Sequence, residues 1–163
     1  MKTKVRKMVA GTSILRTIYY SIIGKLRFPK KYIGKTVRME DGSNYKIFRH
    51  MKAKRKKKLS TGAIFIVRFK FKKSDHKSNM RKSKIPIPMI AGFPGFREKL
   101  WMIDYGTDYW QGMYQFDNTS EIEDYKKSFV LGLMNKRAVR STISYRTIPY
   151  LNLEGFLNGI MTD

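Results

Sequence analysis

The chain has 163 residues, with 35 Lys and Arg against 12 Asp and Glu, a net charge of +23, 42% hydrophobic and 13% aromatic residues. That length fits one domain with an appendage, and the apolar content excludes a disordered chain despite the charge. With no cysteine and only His50 and His76, disulfides, thiolate metal sites and a cysteine nucleophile are excluded; no bound metal or cofactor is expected, and a reducing, cytoplasmic setting is.

The charge is concentrated at the front. Residues 1–58 carry 19 cations against Glu40 and Asp41, residues 59–99 carry 10 against Asp75 and Glu98, and residues 100–163 carry 6 against 8 acids. A nucleic acid or an anionic membrane surface would therefore meet residues 1–99.

At the amino terminus four cations precede an apolar stretch that Arg16, Tyr19, Tyr20 and Ser21 interrupt. Neither a secretion signal nor the run of about 20 apolar residues that spans a bilayer is expected. The spacing of Leu15, Ile18, Tyr19 and Ile22 predicts an amphipathic helix over 12–24, capped by Thr12 or Ser13 and stopped at Gly24. Its apolar stripe either docks on the core or lies on an anionic membrane, which would place the protein at the membrane periphery. A hairpin is predicted over 35–51, turning at Asp41-Gly42. Six cations in the seven positions 52–58 read as a solvated linker that could also contact phosphate. Residues 1–58 are thus a basic extension.

From Gly62 the pattern becomes regular. Residues 63–72 alternate as a strand, residues 73–84 read as a polar loop, and Pro86 and Pro88 limit the next stretch to a brief helix. Strands are predicted over 96–104 and 109–117 around the turn Tyr105-Gly-Thr-Asp108. Residues 119–137 form a helix with Ser120 and Glu123 as a capping box, and a last strand ends at Pro149. The order β, short helix, β, β, helix, β over 59–149 predicts an α+β, ferredoxin-like βαββαβ domain with a four-stranded antiparallel sheet. Residues 150–163 are a docked tail.

The segments Pro94 to Trp101 (PGFREKLW), Gly112 to Asp117 (GMYQFD) and DYKKSF in the last helix resemble the YdhR-like group of the dimeric α/β barrel monooxygenase superfamily, over about residues 62–149. The resemblance implies two sheets packed face to face as a homodimer and a pocket beside each sheet. Some members oxidise aromatic or quinol-like molecules with oxygen and no metal or flavin; others degrade haem with an Asn, a Trp and a His. Here Trp101 is present, but residues 119–137 contain no His.

Strict alternation sorts the side chains into two faces. Phe65, Val67 and Phe69 are expected toward the helices with Phe96, Glu98, Leu100, Met102, Trp110, Tyr114, Phe116, Ile143 and Tyr145. Ile64, Ile66, Arg68, Lys99, Trp101, Ile103, Gln111, Met113, Ser144 and Arg146 are then expected on the opposite face, whose apolar members a monomer would leave in water. Arg68, Lys99, Trp101, Gln111 and Arg146, with Tyr114 as an added phenol, form the candidate ligand cavity; the alternative is that these polar groups simply pair across an interface. Glu98 is either a base or the partner of a cation. Two functions remain open: a cofactor-free monooxygenase-like protein for a hydrophobic or aromatic, anionic small molecule, and a non-catalytic basic protein for nucleic acid or an anionic membrane.

Overall fold

The structure, a computed structural model, describes residues 26–55, 61–73 and 75–162 together with Leu15, Arg16, Ile18 and Gly24. The helix expected over 12–24 falls largely outside the described residues, as do residues 56–58 of the basic run. Leu15 and Ile18, which are described, are exposed.

In chain order the strands and helices are β1 (Leu26–Arg27), β2 (Thr36–Arg38), β3 (Asn44–Ala53), β4 (Ala63–Phe69), α1 (His76–Lys82), α2 (Ile87–Ala91), β5 (Phe96–Asp104), β6 (Tyr109–Phe116), α3 (Thr119–Lys126), α4 (Phe129–Arg137), β7 (Ser144–Pro149), α5 (Leu153–Asn158) and β8 (Met161–Thr162). Strands β7-β4-β6-β5 form the expected ferredoxin-like sheet, every pairing antiparallel. The sheet does not stop at four strands. β3 pairs with β5, β2 with β3, and β8 with β2, while β1 lies beside β3, giving eight strands among the described residues. Tyr45, Ile47 and Met51 give β3 the apolar positions that a sheet-interior strand needs, and the hairpin turns at Gly42, whose φ of 83° suits glycine.

Two helices differ from the sequence reading. Residues 76–82, read as loop, form α1 because the Asp75 carboxylate accepts from the Ser78 amide and supplies the cap. The helix expected over 119–137 is two helices. Asn118 rather than Ser120 caps α3 by accepting from the Glu121 amide, and Ser128 restarts the chain as α4 by accepting from the Leu131 amide. Among the described residues no helix is long and apolar enough to cross a membrane.

Each sheet face carries its own core. On one face Phe65, Val67, Phe96 and Phe116 pack against Ile122, Tyr125, Val130 and Leu131 of α3 and α4. On the other, Ile64, Ile66, Leu100, Met102 and Met113 are buried by Val37, Tyr45 and Ile47 of the hairpin and by Leu153 and Leu157 of α5. The second face is therefore covered within one chain: Ile64, Ile66 and Met113 are buried there without a second copy, and Trp101 and Ile103, expected on that face, are buried too. This removes the exposed apolar surface from which a homodimer through that face was expected.

A β-bulge corrects the face assignment on β5. Its register with β6 steps from Phe96↔Phe116 to Glu98↔Gln115, so one extra residue is inserted near Arg97. An inserted residue reverses the alternation beyond it. Leu100 and Met102 consequently join the covered face, whereas Trp101 and Ile103 join the helix-side core. Glu98 turns away from the helices too, its Oε1 lying 2.5 Å from His50 Nε2 and its Oε2 3.4 Å from Lys52 Nζ, so it is a paired carboxylate.

Candidate active site

The bulge decides the chemistry of the helix-side cavity. Beyond it Lys99 faces the helices and stands directly opposite Tyr114 in the β5–β6 register, with Trp101 two residues along the same face. These three of the candidate residues line one cavity of about 420 Å³, walled by Trp110, Phe69 and Phe71 and roofed by Tyr125 and Met134. Exposed Lys82, Ile85 and Lys136 and the half-buried Arg137 line it as well, so it opens to solvent at a basic rim.

Lys99 is buried, and its Nζ donates to the Tyr114 hydroxyl at 2.7 Å. The amine also stands 4.1 Å from the ring centroids of both Trp101 and Tyr114. Among the described residues no carboxylate forms an ion pair with it. Burial, reinforced by the Arg49 cation, pushes the Lys99 amine well below the ordinary lysine range. Burial likewise pushes the phenols of Tyr114 and Tyr125 upward, so both stay protonated; the Tyr125 hydroxyl lies 3.5 Å from that of Tyr114. Arg49 is positioned by a donation to Ser83 Oγ at 2.5 Å and to the Met80 carbonyl at 2.9 Å, with its guanidinium 5.5 Å from the Trp101 ring centroid. The arrangement is an amine of lowered proton affinity beside a protonated phenol in an aromatic enclosure. Such a pair can accept a proton or orient an oxygen atom of a bound molecule.

The other three candidates are elsewhere. Arg68 and Arg146 lie on the covered face, where Arg68 pairs with Asp41 and Arg146 Nη1 lies 3.2 Å from Glu40 Oε2. The Arg68 guanidinium holds the Asp41 carboxyl well below its usual range. Gln111 borders the cavity, but its side chain reaches the opposite way: Oε1 accepts from Arg68 Nε at 2.6 Å, and Nε2 lies 3.3 Å from the Met102 sulfur. These three polar groups are paired within the chain rather than across an interface. Conversely, Arg49 and Arg137 frame the helix side although no local pattern marks them, because Arg49 arrives only through the β3–β5 pairing. Trp110 and Tyr125, read as core, also face the cavity.

Gly112 forms part of the cavity floor. A Cβ there would come within 2.8 Å of Tyr114 Cε2 and 3.3 Å of Val67 Cγ1. Gly112→Ala is expected to tilt the Tyr114 ring off Lys99 and to cost roughly 1–3 kcal/mol through overpacking. Chemical denaturation reads the loss, and an unchanged midpoint would contradict the close approach.

A family model described as "Putative mono-oxygenase ydhR" matches residues 64–146, the span from β4 to β7 that carries Lys99, Trp101 and Tyr114. The chain belongs to the YdhR family. Solved structures support the same fold for this YdhR-family chain. A ferredoxin-fold protein related to antibiotic biosynthesis monooxygenases, from Listeria monocytogenes, superposes with a TM-score of 0.52 at 10% identity over 71% of this chain and 69% of its own. A monooxygenase-like protein from Listeria innocua gives a TM-score of 0.52 at 11% identity over 85% and 88%. A heme-degrading enzyme from Listeria monocytogenes gives 0.51 at 9% identity over 82% and 92%. No curated protein matches the chain. The YdhR-family chain is thus monooxygenase-like in family and ferredoxin-like in fold.

Proposed function

We propose that this protein is a cofactor-independent monooxygenase-like protein whose helix-side cavity takes a flat aromatic molecule carrying an acidic group. The single observation that carries the reading is the buried Lys99–Tyr114 pair facing an aromatic cavity of about 420 Å³, a size suited to a small ligand. Trp101 and Trp110 supply flat walls, and Lys82, Lys136 and Arg137 at the rim supply positive charge for the acid. The Lys99 amine, whose proton affinity burial lowers, accepts the proton of a substrate phenol in its neutral form, Tyr114 orients the resulting oxyanion by donating to it, and the apolar enclosure excludes water. The electron-rich phenolate then meets oxygen. The substrate supplies all four electrons, one oxygen atom enters the ring, and the other leaves as water, so no external reductant is needed. The heme-degrading neighbour does not extend to this chain, since α3 and α4 carry no histidine.

Oxygen uptake with a panel of carboxylated and uncarboxylated naphthohydroquinones, with labelled dioxygen to trace incorporation, tests the reading. Lys99→Met is expected to lower the rate about 100-fold, the scale of losing a positioned acid–base group. Arg146→Ala, on the other face, keeps it. A Trp101→Ala or Lys99→Met protein that turns over as fast as the native chain would sink the assignment.

A second reading draws on the exposed cations Lys72, Lys73, Lys77, Arg81, Lys82 and Lys84 on and around α1. They favour a non-catalytic role on nucleic acid or an anionic membrane. Its signature is affinity that falls steeply as salt rises, with no dependence on Lys99.

A further inference from the structure

We propose that Lys99 is a covalent nucleophile that forms an imine with an aromatic aldehyde or ketone bearing an acidic group. The inference rests on the reading that the cavity admits flat aromatic anions, and it adds a second chemistry there. Three features of the site carry it. The amine is buried among aromatic rings, and among the described residues no carboxylate pairs with it, so no counter-charge offsets the loss of water around the ammonium form. It lines an open cavity and therefore has a route to a ligand. Among the described residues its hydrogen-bond partner is a hydroxyl, that of Tyr114, 2.7 Å away.

Among the described residues the charged and titratable groups facing the amine are Arg49 from β3, Tyr114 from β6 and Tyr125 from α3, with Lys82, Lys136 and Arg137 farther out at the cavity rim. All of them are cationic or protonated at neutral pH, so each leaves the amine free to act as a nucleophile. Desolvation in an apolar pocket beside another cation is a recognised way to activate lysine toward carbonyls. The amine nitrogen attacks the carbonyl carbon, and Tyr114 donates a proton to the forming alkoxide. One amine proton returns to Tyr114 as the neutral carbinolamine forms. The carbinolamine then loses its hydroxyl, which carries the proton Tyr114 gave, together with the remaining amine hydrogen as water, leaving a carbon–nitrogen double bond. Condensation is redox-neutral and needs no co-reactant.

The test uses the full-length protein, 4-formylbenzoate as probe and cyanoborohydride to reduce any imine to a stable secondary amine, at pH 7. Peptide mass mapping then compares Lys99 with the exposed lysines. Each unit by which an amine's pKa falls raises its neutral fraction tenfold, so Lys99 is expected to label at least about tenfold faster than exposed lysines. Lys99→Arg abolishes that label, and Lys99→Met serves as the second variant if the arginine perturbs folding. The aromatic anion 2-naphthoate, which has no carbonyl to condense, protects Lys99. Both tryptophans of the chain, Trp101 and Trp110, line this cavity, so quenching of intrinsic fluorescence by 2-naphthoate reports occupancy separately. Labelling that follows surface exposure and spares Lys99, with quenching intact, overturns the covalent chemistry and leaves the cavity reading standing. Loss of both labelling and quenching overturns the two together.

Discussion

At neutral pH, Lys99→Met is expected to raise the melting temperature while removing activity. The sign follows from proton linkage. The unfolded chain holds a proton on Lys99 up to about pH 10.4, whereas the folded chain releases it at lower pH because the site is desolvated and faces Arg49. Between the folded value and about 10.4 the unfolded state binds more protons, so native stability rises with pH across that window and is flat above it. Each unit of depression costs about 1.4 kcal/mol. Methionine has similar length, fills the same space between Trp101 and Tyr114, and leaves no charge to desolvate. Calorimetry from pH 6 to 10 is expected to show a rising melting temperature for the native chain and a flatter, higher curve for the variant at the acid end. Parallel curves would mean that the amine stays solvated or finds an anion. Gain of stability with loss of turnover is the trade expected of a functional buried charge.

The second large effect belongs to the covered face. Leu153 and Leu157 of α5 are both 0% exposed, packed over Ile64, Ile66 and Met113, and the Leu153 amide donates to Gln115 Oε1 at 2.9 Å. Leu157→Ala is expected to cost about 2–5 kcal/mol, the scale of a large-to-small change in a closed core. Removing both leucines uncovers a continuous apolar strip between the hairpin and the sheet. That double variant is expected to bind a hydrophobic dye and to associate, because it recreates the bare sheet face of a four-stranded ferredoxin-like domain. Light scattering and denaturant titration check the two effects. A loss below about 1 kcal/mol for Leu157→Ala would show that α5 is not needed to close the face.

The βαββαβ order and the strand bounds of β5 and β6 were legible because period-two alternation and the Tyr105–Asp108 turn are local signals. Phe65, Val67, Trp110 and Tyr114 fell on the expected side for the same reason. What alternation could not carry was the parity of β5 beyond Arg97, since a bulge is set by how two strands fit rather than by either strand's pattern. Lys99 and Trp101 were therefore identified as site residues while being assigned to the opposite face, together with Arg68 and Arg146. The cover on that face was also illegible. It depends on pairings between distant segments, such as Thr36 with Thr162, that no local window contains. The α1 helix was missed because its face is polar and its start rests on a single side-chain cap at Asp75.

The inserted residue near Arg97 also bears on how this chain can be compared with its relatives. At about 10% identity, residues of β5 can be equated between two proteins only after the bulge has been located in each. A shift of one position exchanges Lys99 and Trp101 for Leu100 and Met102, turning a cavity with an amine into one lined by aliphatic and thioether groups. A one-residue deletion there would change the cavity's chemistry more than most substitutions within it, with hardly any change in composition. Reactivity in this fold is thus open to gain or loss by a change in count along one strand, and neighbours of like shape need not share a reaction.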